Sequence, residues 1–226
     1  MDFRAVDIFF QIIVFLFAIS VHESAHAWMA NRCGDPTAKM LGRVTLNPLK
    51  HIDPFGTVLL PAIGLITGAG MFGWAKPTPV TTQNFRDPVM GDILTTVAGP
   101  VSNFLLVLLS LCGLLVISAT TAQGHELVHN LAQGEIAFGG SLLMPIVWLL
   151  YTGVYLNVLL GIFNLIPIPP LDGSHVFRHL LPDGLRDIYD RVGFLGLVLL
   201  LTVGGRVLNV LMQPALRLVN AVLFSA

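Results

Sequence analysis

The sequence predicts an all-α polytopic membrane protein, a bundle of about four to six transmembrane helices with a re-entrant element after the first helix. Three observations predict this class. Of the 226 residues, 54% are hydrophobic and only 11% are charged. Apolar stretches recur that are each long enough to cross a hydrocarbon core of about 30 Å. The polar residues able to carry chemistry sit inside or at the ends of those stretches, and no separate soluble domain or internal repeat is visible. The chain, 1–226, therefore reads as a single integral-membrane domain with the lipid bilayer as its solvent. A formal net charge of −1 gives no sign of nucleic-acid binding. The two cysteines, Cys33 and Cys112, lie in different segments and suggest neither a disulfide framework nor a cysteine zinc site.

The first span covers about residues 3–30. Its apolar stretch from Ile8 to Ile19 feeds directly into His22-Glu23-Ser24-Ala25-His26. A secretory signal peptide is the rival reading, with Arg4 as its basic region and Ala25-His26-Ala27 as the cleavage site. Asp2 and Asp7 flank that arginine, however, and the polar His22-Glu23 pair interrupts the cleavage region. From Asn31 to Pro88 the chain is rich in glycine and proline, and within residues of about 40–75 its apolar run from Phe55 to Ile66 is too short for an ordinary spanning helix. This segment is expected to be re-entrant or interfacial, packed against other protein.

Spans of about 89–120 and 138–166 follow. The latter ends in Asn164-Leu165-Ile166-Pro167-Ile168-Pro169-Pro170-Leu171-Asp172-Gly173, where consecutive prolines forbid helix and present Asp172 from an extended or unwound turn. A fourth span, about 190–203, is expected to be interrupted at Gly204-Gly205. Beyond it, Arg206, Asn209, Gln213, Arg217 and Asn220 recur every three or four residues and stripe a helix of about 205–224. That helix either lies on the membrane interface or spans it with the stripe against protein.

Basic residues orient the bundle. Arg32, Lys39, Arg43, Lys50, Lys76 and Arg86 crowd the first connection, Arg178, Arg186 and Arg191 follow the third span, and the connection after the second span has no lysine or arginine. The first and third connections are therefore expected on the cytoplasmic side.

The pattern H-E-x-x-H occurs twice, as His22-Glu23-x-x-His26 and as His125-Glu126-x-x-His129. On a helix, residues four apart lie about 6 Å apart along the axis and roughly 40° around it, so two imidazoles can converge on one zinc ion. The glutamate between them can act as general base. Topology separates the two copies. His22 and His26 fall near the cytoplasmic end of the first span, and Asp172 follows the cytoplasmic end of the third, so these three can supply two nitrogens and one oxygen. That set leaves a fourth position for water, as in a catalytic zinc site. His125 and His129 fall at the opposite face, where Glu135 is the obvious acidic helper and an exposed amphipathic turn is the simpler reading. Burying Glu23 in a membrane helix costs on the order of 2.5 to 3.5 kcal/mol unless something compensates, which argues for function there. A proton relay or a transport-type metal site is the rival to catalysis. A transporter would place ionisable residues on several helices at the midplane, whereas the second and third spans have none within 93–120 and 138–166.

With these residues in view, the chain resembles the intramembrane zinc metalloproteases of the site-2 protease type. The resemblance rests on Val21 to Ala27 and Asn164 to Gly173, with support from Gly42-Arg43-Val44-Thr45-Leu46-Asn47-Pro48 and Ala98-Gly99-Pro100-Val101-Ser102-Asn103. It implies one zinc per chain held by His22, His26 and Asp172, with Glu23 as catalytic base, and transmembrane protein segments as substrates. It further implies a membrane-associated β-hairpin around Gly42 to Leu60 that receives substrate as an extended strand, a sensible route because helical peptide bonds are shielded. Asn103 and Asn164 become candidates to hold substrate backbone or polarise the scissile carbonyl, with an interhelical hydrogen bond the equal alternative for Asn103. His51 and Asp53 are accessory candidates for a second metal, against the simpler role of capping a turn. His175 and His179, four apart after Asp172, complete no recognisable motif and read as an interfacial turn of helix. The Gly64 to Gly73 stretch is a candidate lining for a water channel. No PDZ-like insertion is visible, so substrate selection is expected in the membrane core or in partner proteins, and the sequence names neither an adaptor nor an oligomeric state. A compact chain of this kind suits a prokaryotic inner membrane.

Overall fold

A computed structural model describes residues 3–67, 73–134 and 141–224. Helix α1 spans Phe3–Cys33, and a short helix α2, Thr37–Met40, follows it. After a 3-10 turn at Pro48–Lys50 and a π-helical turn at Pro54–Leu59 comes α3, Leu60–Thr67. An extended stretch and a 3-10 turn, Thr82–Asn84, lead into α4, Pro88–Thr120. The remaining helices are α5, Ala122–Ala132; α6, Met144–Asn164; α7, Asp172–Leu180; and α8, Asp183–Phe224. Among the described residues, four helical stretches are long and apolar enough to cross a membrane: Ala5–Cys33, Pro88–Thr120, Met144–Asn164 and Val207–Phe224.

Local chemistry sets several boundaries. Asp87 caps α4 by accepting the N–H groups of Val89 and Met90, and Pro88 occupies the first turn, where its missing N–H costs nothing. Pro145 plays the same part at the start of α6. The third span, expected from residue 138, has its helix from Met144, and residues 135–140 lie outside the described residues.

Helix α4 is the centre of the bundle and packs on α1, α5, α6 and α7. One apolar core joins it to α5, α6 and α8 through Val107, Leu114, Val128, Val147, Val154 and Met212. A smaller cluster, Val14, Phe15, Ile19 and Leu156, seals α1 to α6. At this end of the bundle the Asp7 carboxylate accepts hydrogen bonds from the Trp148 indole N–H at 3.2 Å and the Gln11 amide at 2.9 Å.

Two expectations are corrected. The predicted β-hairpin is absent, because the described residues contain no strand. Pro48, Pro54 and Pro61 each lack the N–H that a ladder needs, so the segment coils into short helical turns instead. The Asp53 side chain caps one of these turns by accepting the N–H groups of Phe55 and Gly56. The C-terminal helix is also not interrupted at Gly204-Gly205, and α8 runs unbroken over 42 residues, about 63 Å at 1.5 Å per residue. Two glycines cost a helix only about 1 kcal/mol each, and a chain in lipid has no other way to pair its backbone.

Between α1 and α4, the extended stretch 73–81 is pinned by polar contacts. Asp35, fully buried, accepts hydrogen bonds from the Thr37 N–H and hydroxyl, the Thr81 N–H at 2.7 Å and the Asn84 amide at 2.9 Å. Burial pushes its pKa up, but the bonds from Asn84, Thr37 and Thr81 overcome that and hold it below the ordinary aspartate value. The stabilisation from the ionised form is therefore complete above the unfolded-state value of about 3.9 and is lost as pH falls through the lower folded value. Asp35→Ala, which strands two backbone donors, should destabilise the chain by about 3 kcal/mol at pH 7. In detergent, the gap in melting temperature between wild type and Asp35→Ala should close as pH is taken below 4.

Candidate metal centre

Helix α1 carries His22 and His26 one turn apart on the face that meets α4, and both side chains are buried. Asp172 is the first residue of α7, delivered there by the turn that follows α6, in which the Pro169–Pro170 peptide is cis. The Nε2 atoms of the two histidines lie 3.0 Å apart, and Asp172 Oδ2 stands 3.2 Å from His22 Nε2 and 3.4 Å from His26 Nε2. No other set of His, Cys, Asp and Glu side chains among the described residues converges in this way.

The tautomers say what this cluster is suited to hold. His26 Nδ1 lies 2.7 Å from the carbonyl oxygen of Thr95, which can only accept, so Nδ1 carries the hydrogen. His22 Nδ1 lies 2.7 Å from Asn103 Oδ1, and that amide is oriented by its own Nδ2 donating to Asn157 Oδ1 at 2.9 Å. An imidazole that keeps its single hydrogen at Nδ1 in this way turns the Nε2 lone pair toward the other ring and toward a carboxylate oxygen. Asp172 Oδ2 is itself buried with no hydrogen-bond partner. Three converging lone pairs repel unless a cation stands between them. Their separations match the edge, about 3.3 Å, of a tetrahedron around an ion about 2 Å from each ligand, so the residues fit zinc.

Three features support this geometry. Gly99 of α4 lies against both imidazoles, and a Cβ there would stand 2.4 Å from His26 Nε2. Gly173 lets the start of α7 approach the Leu165 carbonyl, which a Cβ would meet at 2.2 Å. Helix α7 is held to α4 by Asp92, whose carboxylate reaches His179 Nε2 at 2.8 Å and His175 Nδ1 at 3.4 Å. That partner raises the His175 pKa, so the two histidines clamp the helix that bears Asp172.

Glu23 is half-buried on α1, and its Oε2 accepts two hydrogen bonds from Thr78 in the extended stretch. Asn103 is fully buried, with its carbonyl on His22 and its amide on Asn157, the interhelical arrangement. Asn164 returns its amide to the Leu160 carbonyl of its own helix at 3.0 Å. His51 is buried away from the cluster, with Nε2 at 2.9 Å from the Thr45 carbonyl; burial first, then the nearby Arg43, lower its pKa, and it stays neutral. Asp53 is the turn cap described above. The glycine-rich stretch from Gly64 falls partly outside the described residues, since 68–72 are not among them. Sequence reasoning missed Thr78, Thr95, Asn157 and Asp92. Only Pro77-Thr78-Pro79 carried a local signal, as a fixed extended turn.

The second H-E-x-x-H sits on α5, a full helix and not an isolated turn. Val128, Leu131 and Ala132 bury one face, while His125 is exposed near Ser118 and His129 contacts Gln133 and the Phe224 ring. The two rings stack 6.0 Å apart, and Glu135 lies outside the described residues. The double change His125→Ala/His129→Ala should leave bound zinc and activity within about twofold of wild type, measured by metal content and substrate cleavage.

Residues 10–202 match the sequence profile of Peptidase family M50. The chain is 38% identical over 177 residues to "Putative zinc metalloprotease YwhC" of Bacillus subtilis, covering 78% of this chain and 71% of that protein. It is 31% identical over 201 residues to "Putative zinc metalloprotease Rip2" of Mycolicibacterium smegmatis, covering 87% and 68%. No solved structure matches it. A site-2 protease sequence pattern, a helical membrane bundle and a profile match over most of the chain agree, and the protein belongs to Peptidase family M50.

Proposed function

We propose that this chain is an intramembrane zinc metalloprotease that hydrolyses peptide bonds in or near transmembrane segments of other proteins, close to the cytoplasmic face. The observation that carries the reading is the convergence of His22 Nε2, His26 Nε2 and Asp172 Oδ2 on one point, with their other polar atoms tied off or unpartnered. One zinc would be held by these three residues. When bound, it supplies Lewis acidity that polarises the scissile carbonyl and makes a water acidic near neutrality. Glu23 takes the water proton and passes it to the leaving amine. Asn103 and Thr95 fix the two imidazole tautomers, and Asp92 steadies the helix carrying Asp172. Glu23→Gln isolates the base. The direct test of the reading is metal removal. Purified chain in liposomes should cleave a single-span reporter protein, lose that cleavage when stripped by a chelator, and regain it with one equivalent of zinc. Cleavage indifferent to zinc would sink the reading, and zinc flux into the liposomes would favour transport.

A further inference from the structure

Glu23 is gripped by a residue far away in the chain. The backbone N–H of Thr78 donates to Glu23 Oε2 at 2.8 Å, and the Thr78 hydroxyl approaches the same oxygen at 2.7 Å. The hydroxyl also lies 3.0 Å from the Glu23 carbonyl oxygen, and its single proton goes to the nearer acceptor, the side-chain oxygen. Both lengths are those of well-formed hydrogen bonds.

The surrounding sequence explains why this one residue does it. Thr78 stands between Pro77 and Pro79, neither of which has an N–H, so the Thr78 amide is the sole backbone donor of the three. A residue before proline is pushed to extended geometry, and here both Lys76 and Thr78 precede one. The stretch is tethered on both sides. Before Thr78, the buried Arg43 guanidinium donates to the carbonyls of Lys76 and Pro77, and the Lys76 N–H donates to the His51 carbonyl at 2.8 Å. After it, the Thr81 N–H is held by Asp35.

The geometry points to Thr78 as a positioning residue for Glu23. It occupies one carboxylate oxygen with two donors and leaves the other, Oε1, which receives no hydrogen bond from a described residue, to take the proton from water. This rests on the protease reading of the site. Arg43, His51 and Asp35 act one step further out, by holding the stretch that holds Glu23.

The test compares wild type, Thr78→Val and Thr78→Ser as full chains in liposomes with a single-span reporter protein. Thr78→Val keeps shape and amide but loses the hydroxyl, and its kcat should fall about tenfold to a hundredfold while KM and bound zinc stay unchanged. Thr78→Ser, which keeps the donor, should return kcat to within about threefold of wild type. An unchanged kcat in Thr78→Val, an increase that would mark the stretch as an inhibitory strap, or equal losses in both variants would overturn the proposal. A second measurement stands apart from activity. Hydrogen exchange at the Thr78 amide should be slow in wild type and at least about tenfold faster in Glu23→Ala, and equal rates would overturn the contact. An inactive wild-type chain would count against the protease reading, and the exchange rates would still decide whether Thr78 holds Glu23.

Discussion

Glu23→Gln should leave zinc bound and lower kcat by about a hundredfold to ten-thousandfold, the range removed with a general acid–base group. Glutamine has the same shape, and its amide oxygen can still accept the two donors of Thr78, so the stretch 73–81 stays in place. The three atoms that converge belong to His22, His26 and Asp172, and none belongs to Glu23. What disappears is the capacity to take a proton from water and return it to the amine. The measurement pairs zinc content with initial rates on the single-span reporter protein. Equal cleavage by both proteins would remove Glu23 from the mechanism, and zinc loss in the variant would make it part of the metal's own shell. The same assay run on His125→Ala/His129→Ala gives the contrast, because that copy of the motif has no third ligand among the described residues.

The cluster was legible in the sequence for a physical reason. Helical periodicity alone brings His22 over His26, and the distribution of basic residues predicts that Asp172 falls on the same side of the membrane. Both arguments need only spacing and charge. The groups that aim those side chains were not legible in that way. Asn103 reaches His22 across 81 residues, Thr78 reaches Glu23 across 55, and the Thr95 contact uses a backbone carbonyl, which no residue type announces. The β-hairpin around Gly42 to Leu60 was an expectation from the family resemblance, and the described residues there form short helical turns instead. The prolines at 48, 54 and 61 decide the matter by removing ladder donors, and Asp53 and Thr57 supply the caps that the turns need. At Gly204-Gly205 the error ran the other way. A glycine pair looks like a break to a reader of propensities, yet its cost is small against that of leaving carbonyls and amides unpaired in lipid.

Gly99→Ala should abolish tight zinc binding and cleavage together. A methyl on Gly99 would lie 2.4 Å from His26 Nε2, 2.5 Å from His26 Cε1 and 2.6 Å from His22 Cε1, far inside the roughly 3.5 Å at which carbon atoms rest. Neither ring can turn aside cheaply. His22 is tied to Asn103 and His26 to the Thr95 carbonyl, and both anchors lie on α4, the helix that would carry the new methyl. The rings must break those bonds or α4 must back away from α1. Disturbing such supports alone weakens metal binding by about 10- to 100-fold, and here the ligand atoms themselves are displaced, so the loss should reach at least the upper figure. Overpacking should also cost about 1 to 3 kcal/mol of stability. Gly113→Ala on the same helix is the control, since its methyl would meet only the end of the Leu150 side chain, at 3.0 Å. Zinc titration and thermal melting of the two variants in detergent separate the outcomes. Near-wild-type affinity in Gly113→Ala with none in Gly99→Ala would show that the bare backbone of α4 keeps the space in which the imidazoles meet, and equal affinity in both would show that the rings can yield.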